Sequence, residues 1–401
     1  MIKSFSICAV FLCVFPLFAE ERPAAESAPF SQGRFVPDIS LIADFTVTGR
    51  SLPDDEWQRL TLPGSAAAGD EGGSGRGFGF RYAELALSSV VDPSLDLTAI
   101  FHLTADHFEV EEVYARSRRL PWGLGLKAGK FLSGFGRINA QHAHAWSFDE
   151  APLAWQVFFG AEGLNEVGGQ LIWLVPVPFF LQLGTEVLRG ESEASFGARA
   201  LEDRRTVRAP GLWTAFAKGS WDIGCLTVLA GASLARGQTR QPAADLVGET
   251  LPFAGHTVIW GGDLTLLYSI DSYRSLKLQA EWLDRRTAGQ EYGTGGSCAL
   301  GKRQAGGYVD LLWQFDARWR AGARLETLTK SRLLRETGTV VSSGLRWGVC
   351  CVLDFNPSEF SRLRLLLLRD HARDLDGRLI PYTQVGLSLN LAIGAHGAHP
   401  F

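Results

Sequence analysis

Hydrophobic and polar residues alternate along most of this chain, from residue 38 to residue 393, in segments of roughly ten residues. In the segment 343–355, the apolar side chains share one face: Leu345, Trp347, Val349, Cys351, Leu353 and Phe355. Arg346 and Asp354 fall on the opposite face. A membrane-spanning strand needs about 9–11 residues, with one face toward lipid and the other toward a lumen. The pattern therefore predicts an all-β fold, a transmembrane antiparallel β-barrel of about sixteen strands.

The connections between the predicted strands are alternately short and long. We predict strands at 38–48, 78–91, 95–103, 108–117, 124–131, 167–175, 179–188, 212–221, 225–235, 256–268, 276–284, 307–314, 318–327, 343–354, 361–369 and 379–393. An even number places both ends of the barrel on the periplasmic side, with the long connections 50–76 and 132–164 outside the cell. A large soluble β protein is the alternative, but it would show neither this asymmetry nor tryptophans concentrated beside strands.

The N-terminus has the features of a secretory signal peptide over residues 1–19. Lys3 supplies the positive charge, residues 7–18 are apolar, and Ala19 is a small residue before the cleavage point. We expect a short periplasmic lead-in at 20–37 and the barrel at 38–401. A lipoprotein is disfavoured because neither Cys8 nor Cys13 follows a small residue. The predicted location is the bacterial outer membrane.

Composition excludes several classes of function. The net charge of −4 argues against nucleic acid as a partner. No G-x-S-x-G motif occurs, and the short Gly134-Phe135-Gly136 stretch lies in no βαβ unit, so no enzyme activity is expected. The four cysteines after the signal peptide have no zinc-site spacing. No cofactor is predicted, with zinc as the one exception considered below.

A group of charged residues is predicted to line the pore on strands near the C-terminus. These are Arg318, Arg320, Arg324, Glu326, Arg346, Arg362 and Arg364. An arginine facing lipid at the bilayer midplane would cost about 2–4 kcal/mol, so these side chains should face the lumen. They could form a basic stripe that attracts small anions such as phosphate or carboxylates. Alternatively, Glu281, Glu326 and Asp354 could neutralise them in a wall of ion pairs.

Two histidine pairs are candidate metal ligands. His142 and His144 are two residues apart, and His396 and His399 are three apart. Such pairs can place two imidazoles on one side, where they could hold Zn²⁺. The topology puts the first pair in an outer loop and the second at the periplasmic end, which predicts two separate sites or none. The terminal Phe401 is predicted to be a signal for the barrel-assembly machinery, with a short periplasmic tail as the alternative.

Several stretches resemble bacterial outer-membrane proteins related to the phosphate-selective porins. They are LKAGKFLSGFGRIN (126–139), WSFDEAPL with the following residues (146–174), FNPSEFSRLRLLLLRD (355–370) and the tail IGAHGAHPF (393–401). The branch with a similar tail includes members described as zinc-regulated outer-membrane receptors. The resemblance implies a barrel fold. It does not imply TonB-driven transport, because too few residues precede the first predicted strand to form a plug domain.

Together these patterns predict a passive porin for small hydrophilic solutes. A preference for anions follows if the basic stripe, and not the neutralising network of ion pairs, lines the lumen. The lumen would be narrowed by an inward-folded loop, 133–163, whose Trp146, Phe148 and Trp155 could pack inside the barrel. The partners would be outer-membrane lipid, the assembly machinery and the solutes, and a homo-oligomer is compatible with this architecture. The alternative is a receptor or adhesin for a metal complex or another ligand, in which deletion of 50–76 would abolish binding.

Overall fold

The computed structural model describes residues 37–61, 75–160, 162–192, 194–197, 210–244, 250–293, 296–335, 338–341, 344–374 and 377–394. The predicted signal peptide and all but the last residue of the predicted lead-in lie outside the described residues. The same is true of His396, His399 and Phe401. The predictions for these segments stay predictions.

Nearly all of the described chain is antiparallel sheet. The strands are β1 (Asp38–Arg50), β2 (Leu60–Thr61), β3 (Gly77–Asp92), β4 (Leu95–Leu103), β5 (Phe108–Ser117), β6 (Leu124–Leu132), β7 (Asn165–Leu174), β8 (Phe180–Leu188), β9 (Leu212–Ile223), β10 (Leu226–Ala244), β11 (Thr250–Ser269), β12 (Ser275–Gly293), β13 (Gly296–Gln314), β14 (Trp319–Leu328), β15 (Arg332–Arg335), β16 (Gly338–Val341), β17 (Arg346–Ser358), β18 (Ser361–Asp374) and β19 (Leu379–Gly394). Two short helices, α1 (Asp54–Trp57) and α2 (Leu153–Phe159), lie between strands. Among the described residues, no helix is long and apolar enough to cross a membrane.

Sixteen of these strands form a closed barrel. Each pairs with its neighbours in chain order, and β1 pairs with β19 to close the wall. The other three are short additions: β2 pairs with the end of β18, and the hairpin β15–β16 extends the edge of β13. The predicted fold is confirmed, and each predicted strand corresponds to one strand of the wall.

The two faces of the wall differ as the alternating sequence requires. On β18, Leu363, Leu365 and Leu367 are 38–50% exposed on the outer face, whereas Arg364 on the inner face is fully buried. The same contrast recurs on β19, where exposed leucines alternate with the buried Ser388. An outer surface of this kind is stable when lipid covers it. The chain is therefore built as an outer-membrane barrel.

The main difference from the predicted strands is the length of β10 to β13. These four strands continue by up to eleven residues beyond their predicted ends, on the side of the long connections: β10 to Ala244, β11 from Thr250, β12 to Gly293 and β13 from Gly296. Exposed Arg286 and Arg303 pair there with Asp284 on the outer face. Because the outward face is charged there, the alternation of apolar and polar residues is lost. The hairpin β15–β16 was also not predicted.

The largest apolar core lies inside the barrel. It is built from the segment 133–164, called the inward loop from here on, and from inner-face residues of the wall. Within this loop Phe135, Trp155, Phe158 and Leu164 are at most 2% exposed. Helix α2 belongs to the loop and buries six of its seven residues. The segment predicted to narrow the lumen is thus folded against the inner wall.

Candidate functional site

Glutamates of the wall hold the inward loop in place. Each accepts a hydrogen bond from a backbone N–H at the start of the loop or within it: Leu132 to Glu112 on β5, Gly134 to Glu186 on β8 (2.7 Å), Arg137 to Glu281 on β12 (2.9 Å) and Leu153 to Glu326 on β14 (3.0 Å). All four carboxylates belong to buried residues. A buried segment without regular structure needs acceptors for its N–H groups. The glutamates supply them from well-separated strands of the barrel.

Aromatic side chains also stabilise the contact between the inward loop and the wall of the barrel. Trp155 lies 4.6 Å from Phe159 and 5.9 Å from Phe135, measured between ring centroids. Its indole Nε1 donates to Glu281 Oε2 at 2.9 Å, and Tyr308 Oη donates to the same oxygen at 3.3 Å. Glu281 therefore joins the loop backbone, the loop core and the wall.

Three of the six predicted pore-lining arginines form buried ion pairs. Arg324 contacts both oxygens of Asp310 (2.8 and 3.0 Å), Arg346 those of Asp370 (3.2 and 2.6 Å) and Arg364 those of Asp354 (2.7 and 3.1 Å). Asp310 stands directly opposite Arg324 in the strand register, and Asp354 directly opposite Arg364. Cross-strand neighbours of opposite charge stabilise one another. For these three arginines the arrangement corresponds to the neutralising network.

Some of these arginines also hold the inward loop. Arg364 Nη1 contacts Asp149 Oδ1 at 2.8 Å, and Arg324 Nη1 donates to the carbonyl of Glu150 at 2.8 Å. Arg81 donates to the carbonyl of Asp149 and lies 3.4 Å from Asp44. Burial opposes the ionisation of Asp149, but Arg364 and Arg81 outweigh it and hold the pKa of its carboxyl below the usual value.

A β-bulge explains why Arg81 reaches the lumen. In the pairing of β1 with β3, Asp44 opposes Tyr82 and Phe45 opposes Phe80, so Arg81 has no register partner. An extra residue of this kind interrupts the alternation and redirects side chains. Arg81 and its neighbour Tyr82 can thus both face inward, which a strict two-residue period would forbid.

The remaining predicted residues lie near the short turns. Arg320 is half-buried, with Nη2 2.6 Å from Asp354 Oδ2. Arg362 is also half-buried, and its Nε has no hydrogen-bond partner. Arg318 differs from the prediction: it lies in the turn before β14 with an exposed side chain, because the strand begins one residue later. Glu326 lies on the inner wall, as the loop contact above shows.

Further inward cations escaped the sequence analysis. Lys218 on β9, Lys277 on β12 and Arg137 in the inward loop are all half-buried. The ion pairs of the described residues include none of these three, and Arg137 Nε and Nη2 are buried without a hydrogen-bond partner. The acidic side chain that acts most strongly on Lys218 is Asp263. Lys218 and Lys277 have the inward parity of their strands, so the alternation alone could have identified them.

The predicted histidine pair lies in a cluster of carboxylates between the inward loop and the wall. His142 Nδ1 is 3.3 Å from Glu111 Oε1 and 3.6 Å from Glu84 Oε2, and its Nε2 is 3.4 Å from Glu112 Oε2. His144 Nδ1 is 3.0 Å from the same oxygen of Glu84. Burial lowers the pKa of His142, but hydrogen bonds with Glu111 and Glu112 outweigh it and raise this pKa well above the usual value.

Comparisons with known proteins show a relative and a fold. A protein of Aquifex aeolicus (strain VF5) named "Uncharacterized protein" is 42% identical over 398 residues, which cover 96% of this chain and 84% of that protein. No family model matches the chain.

Solved structures with the same fold are outer-membrane proteins. The outer membrane channel DcaP of Acinetobacter baumannii has a TM-score of 0.55 at 12% identity and covers 90% of this chain and 99% of its own. OmpT of Vibrio cholerae has a TM-score of 0.52 at 11% identity, with coverage of 91% and 99%. At such identities the likeness shows the fold, which is that of the bacterial outer-membrane channels.

Proposed function

We propose a function for this chain on the premise that it belongs to the same protein family as the Aquifex aeolicus protein and has the fold of outer-membrane channels. It acts as a passive porin for small hydrophilic solutes in the bacterial outer membrane. Its lumen prefers anions to cations. A closed barrel of sixteen strands has a polar interior that can hold a water-filled passage.

The observation that supports the anion preference is a set of half-buried inward cations that lack an acidic partner at ion-pair distance. Lys218, Lys277, Arg137 and Arg362 are half-buried inside the barrel and form no ion pair within the described part of the chain. The anchoring glutamates, by contrast, are buried beneath the inward loop. A solute in the remaining lumen therefore meets these guanidinium and ammonium groups together with the half-buried Asp263 of β11. Charges that line a narrow passage act on ions at short range, where salt screens them weakly.

The same reasoning assigns little selectivity to Arg324, Arg346 and Arg364. Each is buried and paired with an aspartate at hydrogen-bonding distance. Replacing Arg324 or Arg346 would leave an unpaired aspartate in the wall, which commonly costs about 3 kcal/mol or more. Their substitution would thus report on stability, and the selectivity test must use other positions.

The test is the reversal potential of the purified protein in planar bilayers under a KCl gradient. The double variant Lys277→Gln, Arg362→Gln removes two accessible cations near the short turns. A unit charge at about 4 Å contributes ~1 kcal/mol even in water, so the chloride-to-potassium permeability ratio should fall about fivefold or more. Arg318→Gln is the matched control, since this arginine is exposed in a turn at the same end, and it should leave the ratio unchanged.

Two results would contradict the proposal. An unchanged ratio in the double variant would remove the anion preference. A folded barrel without any conductance would remove the porin function itself and favour the receptor or adhesin. The finer features implied by the sequence resemblance stay predictions: phosphate selectivity, tested by block of chloride current by phosphate, and zinc-linked receptor activity.

A homo-oligomer is part of the proposal. OmpT of Vibrio cholerae, which shares the fold, has been solved in a trimer form. The mass of the detergent-solubilised protein, measured by light scattering with the detergent contribution subtracted, tests this directly. A mass of one chain would contradict it.

A further inference from the structure

We propose that Glu84, Glu111 and His142 form a binding site for a divalent transition metal, represented by Zn²⁺, which fastens the inward loop to β3 and β5. The site is independent of the proposed transport function. It also differs from the predicted histidine site, in which His142 and His144 were paired as ligands.

The positions of the donor atoms fit a tetrahedral ion. One ligand atom from each of the three residues lies within 4.8 Å of the other two. The imidazole Nδ1 of His142 stands 3.3 Å from Glu111 Oε1 and 3.6 Å from Glu84 Oε2. Donors bound to zinc at about 2.0–2.2 Å in a tetrahedron are themselves roughly 3.3–3.6 Å apart. The ion therefore fits with small movements, and its fourth position is left for water.

The surrounding residues orient these ligands. Glu112 Oε2 lies 3.4 Å from Nε2 of His142, so an N–H at Nε2 can donate to it and leave Nδ1 free to bind metal. His144 Nδ1 lies 3.0 Å from Glu84 Oε2 and supports the second ligand. A carboxylate on the far nitrogen of a ligating histidine and a hydrogen bond to a ligating carboxylate are recurrent features of zinc sites.

A β-bulge brings the two glutamates of β5 together. Glu112 opposes Ile100 and Val110 opposes Phe101 on β4, so Glu111 is the extra residue. Consecutive residues of a regular strand point to opposite faces. The bulge removes this constraint and lets Glu111 and Glu112 both contact His142. Glu111 Oε2 is buried without a hydrogen-bond partner, an expensive arrangement unless the carboxylate has another role.

The donor set favours a transition metal over calcium or magnesium. One imidazole nitrogen and two carboxylate oxygens suit zinc, whereas Ca²⁺ and Mg²⁺ prefer six or more oxygen ligands. The ligands come from three separate elements: β3, β5 and the inward loop. A metal bound by all three joins the loop to the wall at a point distant from Glu281.

The test is Zn²⁺ binding to the purified full chain, without a histidine tag and after removal of metal by chelation. Isothermal titration should give one site per chain. Glu111→Gln and His142→Gln should each weaken binding at least tenfold, since even the loss of an outer partner costs 10–100-fold in metal affinity. Mg²⁺ and Ca²⁺ should not compete at equal concentration.

Two control variants separate this site from other histidines. His256→Gln changes an exposed residue on the outer face of β11, and the double variant His396→Gln, His399→Gln removes the C-terminal pair. Both should keep the affinity of the unmodified chain. The far-ultraviolet circular dichroism of every variant shows whether the barrel is folded, and Glu111→Gln, which nearly preserves shape, keeps the test decisive if His142→Gln fails to fold. Absent binding, or binding unaffected by Glu111→Gln, would overturn the proposal.

Discussion

The contacts of Glu281 predict that one carboxylate controls the position of the inward loop. Its two oxygens accept the backbone N–H of Arg137 and the indole N–H of Trp155, both at 2.9 Å. Glu281→Ala removes both acceptors and leaves these two buried donors of the loop, together with Tyr308 Oη of the wall, without their acceptor. The strands of the wall do not depend on this side chain, so the barrel itself should still form.

The expected size of the effect follows from these two hydrogen bonds. Leaving a buried donor without a partner costs roughly 1–3 kcal/mol, so the two donors of the loop together should cost it about 3 kcal/mol of local stability. This corresponds to an increase of about 100-fold or more in the population of the open loop. Hydrogen exchange followed by mass spectrometry should show faster exchange of peptides that cover 135–159, with wall peptides unchanged. Single-channel current should become noisier or larger.

Glu166→Ala is the matched control for this experiment. Glu166 is also buried on the inner wall, and it accepts hydrogen bonds from the backbone N–H groups of Gly190, Glu191 and Ser192. Its replacement should increase exchange near 190–192 and leave the inward loop protected. Equal exchange of 135–159 in Glu281→Ala and the unmodified chain would refute the assignment of Glu281 as an anchor. Loss of protection along the whole wall would refute the separation of loop and barrel.

Two further predictions concern the same loop. Because the pKa of Asp149 is lowered, its ion pair with Arg364 contributes fully above the ordinary carboxyl pKa of 3.8 and is lost as the pH falls through the lower value; loop protection, corrected for the intrinsic exchange rate at each pH, should therefore lose this contribution only below about pH 4. In Asp149→Asn this acid transition should be absent. Trp155→Ala, which removes a side chain only 2% exposed, should cost the loop about 3–5 kcal/mol. Fluorescence-detected unfolding and loop exchange would report it, and Trp313→Ala on the lipid-facing side should leave loop exchange unchanged.

The alternation of the sequence was sufficient to predict the wall. Lipid on one side and a polar lumen on the other impose a period of two residues, and β4 and β5 begin and end at the predicted residues. The predicted strand ends were wrong where the outward face of the wall is no longer apolar. The outer parts of β10 to β13 carry charges on the outward face, as at Arg286 and Arg303, so their sequence shows no apolar stripe.

The candidate site was predictable only in part. The two-residue alternation placed most of the predicted arginines on the inner face. Their ion pairs, however, depend on which residue of the neighbouring strand stands opposite, and this register cannot be obtained from the sequence of one strand alone. The bulges at Arg81 and Glu111 are a second obstacle, because each adds a residue that breaks the period. Neither position carries the glycine that can mark a bulge. The proposed metal site and the contact of Arg81 with the loop therefore could be recognised only from the three-dimensional structure.

The inward loop and the charge of the lumen are linked through the same acidic residues. The chain as a whole has a net charge of −4, yet the accessible inward groups include Lys218, Lys277, Arg137 and Arg362. The charge of the inward surface thus differs from that of the whole chain, because the inward loop covers the wall glutamates to which it is anchored. Any change that releases the loop, such as Glu281→Ala, also exposes carboxylates to the passage. If the proposed anion preference is correct, such a variant should lose selectivity together with loop protection, although it retains every cation of the lumen.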